Sequence, residues 1–294
     1  MLLLAALVWG VAFVAQSEGL NYVGAFTFNT CRFILGGAVL IPCIYFLHGR
    51  KDSAWQTLSE KEKKEQTRMG IIGGICCGCI LCLASCLQQF GIAQTTVGKA
   101  GFITTLYIII VPFMGLFLKR KIGINIWISA VIAAVGMYFL CITESFSIGA
   151  GDRLVLMCSV VFSVHILVID HFSPKADGVM ISCVQFFTAG VIASVLMLLF
   201  EHPSMSAVIA AAAPILYAGV MSCGVGYTLQ VVAQNGVDPT VASLLLSLES
   251  VFSVLAGWML LGQKLSGREL FGCVLVFAAV LLVQIPTEKL FHTA

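Results

Sequence analysis

Residues 26–46 read FTFNTCRFILGGAVLIPCIYF, an apolar run that carries one cation, Arg32. About 20 apolar residues in a helix cross the roughly 30 Å of bilayer hydrocarbon, so the run has the length of a membrane span. A guanidinium at the centre of such a span costs about 2.5–3.5 kcal/mol on insertion scales, and it requires water or a partner inside the membrane. The stretch therefore implies a helical membrane protein and a polar interior for Arg32 to face.

The rest of the chain agrees. Of its 294 residues, 60% are hydrophobic and 10% charged, where soluble domains carry about 25% charged residues. The net charge is only +2 and the basic residues fall between apolar runs, so nothing points to nucleic acid. The opening MLLLAALVWGVAFVAQ has no basic residue ahead of its apolar run and is read as a retained first span. All twelve cysteines lie in or beside apolar runs, where oxidising machinery has no access, and no disulfide framework is expected.

Ten spans fit the sequence, at about 2–16, 26–47, 69–90, 99–118, 125–143, 153–170, 179–200, 207–229, 240–260 and 268–286. One loop is long, HGRKDSAWQTLSEKEKKEQTR at 48–68, and its lysines and arginines assign it to the cytoplasm. Tracing ten spans from that anchor puts both termini inside. It also groups Lys119, Arg120, Lys121, Lys175 and Lys289 with the loop, leaving Lys99, Arg153, Lys264 and Arg268 outside.

The halves superpose on each other. Adding 153 places Trp9 on Phe162, Arg32 on Gln185 and Phe33 on Phe186; beyond the long loop, adding 142 places Leu87–Gln88 on Leu229–Gln230, Ala100 on Ala242, Leu106 on Leu248 and Gly115 on Gly257. Two repeats are read, residues 1–143 and 150–286. Five spans is an odd number, so the second repeat runs inverted in the membrane, as in secondary transporters whose sites lie near the midplane between repeats.

The opening LVWGVAFVAQ, the CRF of the second span and the closing LLLSLESVFSVLAGWMLLGQKLSGRELFGCVLVFAAVLL resemble the drug/metabolite transporter superfamily, in particular its EamA-type ten-span members. The resemblance implies an all-α carrier with alternating access, with solute export common among relatives. Relatives usually show proline after the glutamate of span 9 and a glutamate in the following turn; here Ser250 and Gln263 stand there.

Arg32 is expected about 9–10 Å deep from the outer side and Glu249 about 14 Å from the inner side, at about 1.5 Å per residue, so their depths differ by about 6 Å. Two readings follow. Either both face one cavity, where they pair or bind opposite ends of a zwitterion such as an amino acid or related metabolite, or they form a permanent structural contact. Gln88 and Gln230, at matching positions, offer amide donors and acceptors to a solute or to neighbouring helices. Trp9, Tyr107 and Tyr227 are candidate aromatic walls or packing residues, and Gln185 is the neutral counterpart of Arg32. His165 is either a proton relay together with Asp170 or a satisfied packing residue, and His165 and Glu249 are the proton-coupling candidates.

The stretch GIIGGICCGCILCLASC, 70–86, repeats glycine at 70, 74 and 78, which lets a neighbouring helix approach closely. Cys79, Cys82 and Cys86 follow on much the same face. They raise an alternative, a membrane-embedded metal-binding or redox protein built on the stripe from Cys76 to Cys86, although no second CxxC pair completes a zinc-type site. There is no phosphate loop, nucleophile elbow or HExxH helix, so neither an enzyme nor an ATP-driven pump is expected. The overall expectation is a secondary carrier, coupled to an ion gradient or running downhill, in the cell membrane, with no cofactor or bound metal. Its partners are a small solute and the lipid bilayer, and the sequence leaves monomer and homodimer open.

Overall fold

The computed structural model describes residues 1–49, 54–95, 97–120, 122–141, 149–261 and 266–283. Arg50, Lys51, Lys121, Gln263, Lys264 and Lys289, and the side chain of Lys99, lie outside the described residues. Described secondary structure is entirely helical. The first three long helices are α1 (Leu2–Gly19), α2 (Ala25–Gly49) and α3 (Glu60–Ile92). The fourth is broken into α4a (Val97–Thr104) and α4b (Tyr107–Phe117), and α5 (Ile124–Cys141), α6 (Ala150–Phe172) and α7 (Gly178–Phe200) follow. After α8 (Ala212–Gln234) comes a second broken helix, α9a (Pro239–Leu246) and α9b (Glu249–Leu261), and then α10 (Gly267–Val283). Eight of these segments are long and apolar enough to cross a membrane, and Ile124–Phe139 and Leu270–Val283 are shorter apolar helices.

Polarity is distributed inside out. Exposed positions on the helices include Leu3, Leu7, Ile41, Phe113, Val131, Val195 and Phe277, while Gln16, Arg32, Gln88, Gln89, His165, Gln185, Gln230 and Glu249 are buried. In water that arrangement would leave a large apolar surface uncovered; in lipid it buries the polar groups where they can find partners.

Helix pairs recur when the halves are exchanged. Helix α1 packs on α9b and α6 on α4; α3 packs on α6 and α8 on α1; α3 packs on α7 and α8 on α2. The self-matching pairs α2 with α7 and α5 with α10 complete the pattern. Both broken helices break at matching positions, Thr105–Leu106 and Ser247–Leu248, which are 142 residues apart. Hydroxyl groups accompany each break. Thr105 Oγ1 bonds back to the carbonyls of Gly101 and Phe102 at 3.0 Å each, and Ser247 Oγ to that of Leu244 at 2.7 Å, competing with the helical ladder.

The glycine row of α3 meets α7 as its spacing predicts. A Cβ on Gly74 would fall 2.5 Å from Val184 Cβ, and one on Gly78 would fall 2.6 Å from the Gln185 carbonyl oxygen. The basic loop is shorter than expected, because Glu60–Arg68 already belong to α3 and start it with a capping box. Ser59 Oγ accepts from Glu62 N at 3.3 Å, and a Glu62 carboxylate oxygen accepts from Ser59 N at 2.8 Å. At 33 residues, and about 1.5 Å each, α3 is longer than the hydrocarbon core.

The two ends of the bundle are tied by charge. At the end bearing Lys119 and Lys175, Arg120 of the α4–α5 turn pairs with Asp170 of α6, and His48 Nε2 lies 3.6 Å from Asp177. At the other end Glu201, just past α7, accepts from the backbone N–H groups of Phe26 and Thr27 at 3.0 and 2.8 Å and from Thr27 Oγ1 at 2.6 Å. It thus caps α2 from another helix.

Candidate functional site

Most of these buried polar groups line a cavity at the junction of α1, α2, α3, α4, α6, α8 and α9. Its wall is built from matching positions of the two halves: Trp9 and Phe162, Ala12 and His165, Phe13 and Ile166, Gln88 and Gln230, Thr104 and Leu246, Tyr107 and Glu249. The helix breaks create much of it. Ending α4a at Thr104 and starting α4b at Tyr107 puts both side chains on the cavity, and the break before Glu249 sets that carboxylate in the first turn of α9b. There it lies at the positive end of a helix dipole.

Helix α8 contributes through a wide π-helical stretch, Tyr217–Tyr227. Such stretches are rare and shift side chains relative to an α-helix. Here Ser222 presents its carbonyl to Trp9 Nε1 at 3.2 Å, and Tyr227 packs on Trp9 with ring centroids 4.5 Å apart. Glycine is needed at 226, where a Cβ would fall 2.6 Å from Trp9 Nε1.

Arg32, 2% exposed, and Glu249, 4% exposed, both line the cavity. They are not paired with each other. Arg32 Nη1 donates to Gln16 Oε1 at 3.2 Å, and its guanidinium carbon lies 4.8 Å from the centroid of the Phe33 ring. Glu249 accepts from the Tyr107 hydroxyl at 2.9 Å. Gln88 Nε2 donates to Thr104 Oγ1 at 3.4 Å, while Gln230 Oε1 is buried without a partner.

The sequence candidates Arg32, Glu249, Trp9, Gln88, Gln230, Tyr107, Tyr227 and His165 all lie on this wall. Gln185 stands behind it, its Oε1 3.1 Å from His165 Nε2. Asp170 does not join His165 as the relay reading requires, because Arg120 takes its carboxylate at the end of the bundle. The face expected for the cysteine stripe also differs: Cys82 and Cys86 are buried, Asn29 Nδ2 lies 3.6 Å from Cys86 Sγ, and Cys79 is exposed on the outer surface of α3. Among the described residues no group of three or more His, Cys, Asp or Glu converges to hold a metal.

Gln16, Thr104 and Ser222 are cavity residues that sequence reasoning passed over. Gln16 carried a signal, a polar amide at the end of the first apolar run on the side that also carries Trp9. For Ser222, which enters through the π-helical stretch, the nearest signal is the glycine-rich AGVMSCGVGY around it.

Comparison with known proteins follows the same architecture. A transporter of Archaeoglobus fulgidus, described only as uncharacterized, is 29% identical over 285 residues, which are 97% of this chain and 84% of that one. A solved crystal structure of a protein with 16% identity superposes with a TM-score of 0.71 over 98% of both chains, a likeness of fold alone. The model of the EamA-like transporter family matches residues 1–142 and again residues 149–285, so the chain is a membrane transporter that belongs to the EamA-like transporter family.

Proposed function

We propose that the chain is a secondary carrier that exports a small organic solute, an amino acid, related metabolite or drug-like compound, across the cytoplasmic membrane by alternating access. Both termini face the cytoplasm in this reading, and the halves 1–143 and 150–286 are inverted repeats that rock about the cavity between them. An ion gradient or the solute's own gradient drives the cycle, with His165 and Glu249 as the groups that would carry a coupled proton.

One observation carries the reading: two buried ionisable groups of opposite type, Arg32 and Glu249, face the same cavity without pairing with each other. A structural ion pair would close that gap, because isolated buried charges are destabilising. A solute with its own charged or polar ends would satisfy both. The remaining wall is aromatic and amide, with Trp9, Tyr107, Tyr227, Gln88 and Gln230 offering stacking and hydrogen bonds. Flux of radiolabelled amino acids and related metabolites through proteoliposomes tests it; a carrier exchanges solute across the sealed bilayer, and a protein that only binds does not.

A further inference from the structure

We propose that the Arg32 end of the cavity is a receptor for a single planar carboxylate, and that Gln16 is the positioning residue that makes it one. The proposal rests on the carrier reading and names the chemical class of its solute.

The guanidinium is used unevenly. Nη1 donates to Gln16 Oε1 at 3.2 Å, while Nε and Nη2 are buried with no hydrogen-bond partner. Those two nitrogens share one edge of the guanidinium plane, and their N–H bonds point the same way. That edge matches the two oxygens of a carboxylate in a bidentate pair. Buried donors on a charged group are destabilising when left without acceptors, and this edge belongs to a side chain that lines the cavity.

The fork is held in place from three sides. The Phe33 ring packs against the guanidinium with its centroid 4.8 Å from the central carbon, and the Phe28 ring centroid is 5.8 Å away. Gln16, 4% exposed, fixes the rotation of the plane by occupying Nη1. Gln16 is itself anchored, because its backbone carbonyl accepts from Gln89 Nε2 at 3.1 Å.

The surroundings select one monoanion. A neutral amide offers the fork one oxygen instead of two, and an amine meets a charge of its own sign. Glu249 on the same cavity disfavours a dianion such as a phosphate ester. The position matching Arg32 in the second half is Gln185, whose amide oxygen faces His165, so the cavity holds one such fork.

Thermal shift of the detergent-purified full chain tests this with matched probes: the amino acids against their carboxamides, short monocarboxylates against their amides, and methylphosphonate. The carboxylates are expected to raise the melting temperature of the wild type where the amides and the phosphonate do not. Arg32→Lys keeps the charge but not the fork, and is expected to weaken the carboxylates at least tenfold and to abolish their preference over amides. Gln16→Leu is expected to reduce the same preference. Gln16→Glu places a competing carboxylate beside Arg32 and is expected to remove carboxylate binding, a readout independent of whether Arg32→Lys folds. Amides binding as well as carboxylates, or undiminished carboxylate preference in Arg32→Lys and Gln16→Glu, would overturn the proposal. So would a wild type that responds to no carboxylate; flux of non-carboxylate solutes through proteoliposomes then decides the carrier reading separately.

Discussion

Tyr107 donates its hydroxyl to Glu249 at 2.9 Å, and the two residues are 142 positions apart, the offset that also relates Gln88 to Gln230 and one helix break to the other. The hydrogen bond therefore joins matching positions of the two halves, each the first residue of the helix that follows its break. Matching positions carry different chemistry: a phenol against a carboxylate here, a cation against an amide at Arg32 and Gln185, a small residue against an imidazole at Ala12 and His165. The fold repeats while the side-chain chemistry does not, and this puts both a guanidinium and a carboxyl group on the cavity.

Tyr107→Phe removes the donor and leaves the buried Glu249 carboxylate short of a partner. The expected loss is about 1–3 kcal/mol, read by thermal denaturation in detergent. In a Glu249→Leu background the same change is expected to cost less than about 0.5 kcal/mol, since no carboxylate remains to satisfy. Equal losses in both backgrounds would assign the effect to packing of the ring.

Gly78→Ala forces a methyl group against the Gln185 carbonyl, 2.6 Å away, and against Thr188 Cβ, also 2.6 Å away. Alanine alone favours a helix by about 1 kcal/mol over glycine, so the sign of the effect is informative. A net loss of about 1–3 kcal/mol is expected from overpacking. At Gly101 the nearest atom to an added Cβ is Ser253 Oγ at 3.7 Å, and alanine there is expected to be neutral or stabilising.

Much of this architecture is legible in the sequence, because lipid makes a simple demand: long apolar runs, broken only where a polar group has an interior to face. Arg32 and Glu249 announce a shared polar interior for that reason, and the glycine row at 70, 74 and 78 announces a close helix neighbour. What is hidden is local geometry that depends on distant partners. Thr105 and Ser247 bond back to their own helices at the breaks, but Ser159 and Ser163 bond back in the same way inside the unbroken α6, so a hydroxyl in the sequence does not by itself mark a break. Asp170 sits on the same helix as His165, five residues on, yet its partner Arg120 comes from the α4–α5 turn. Five residues is too far round the turn for one face, which neighbouring positions at three or four would share.

Glu201→Ala removes the acceptor that caps α2 from beyond α7. Loss of a cap costs about 0.5–2 kcal/mol, and amide exchange at Phe26 and Thr27 is expected to speed up while exchange in α3 is unchanged. Glu201→Gln keeps one acceptor and is expected to fall between wild type and alanine. Unchanged exchange at Phe26 and Thr27 in the alanine variant would show that this end of α2 is held by other contacts.

The metal alternative is tested by elemental analysis of the purified chain together with Cys79→Ser, Cys82→Ala and Cys86→Ala. Less than about 0.1 metal per chain and retained solute flux in the three variants are expected from residues that pack. Stoichiometric copper or zinc, lost with the cysteines, would restore the metal-binding reading.

The most direct test of the solute site is counterflow in proteoliposomes containing wild type, Arg32→Gln or Glu249→Gln, with each variant first checked for folding by its melting temperature. If the solute lies between Arg32 and Glu249, exchange of a solute carried by the wild type falls to background in both variants. If either variant carries that solute at the wild-type rate, the charges are structural and the site is elsewhere.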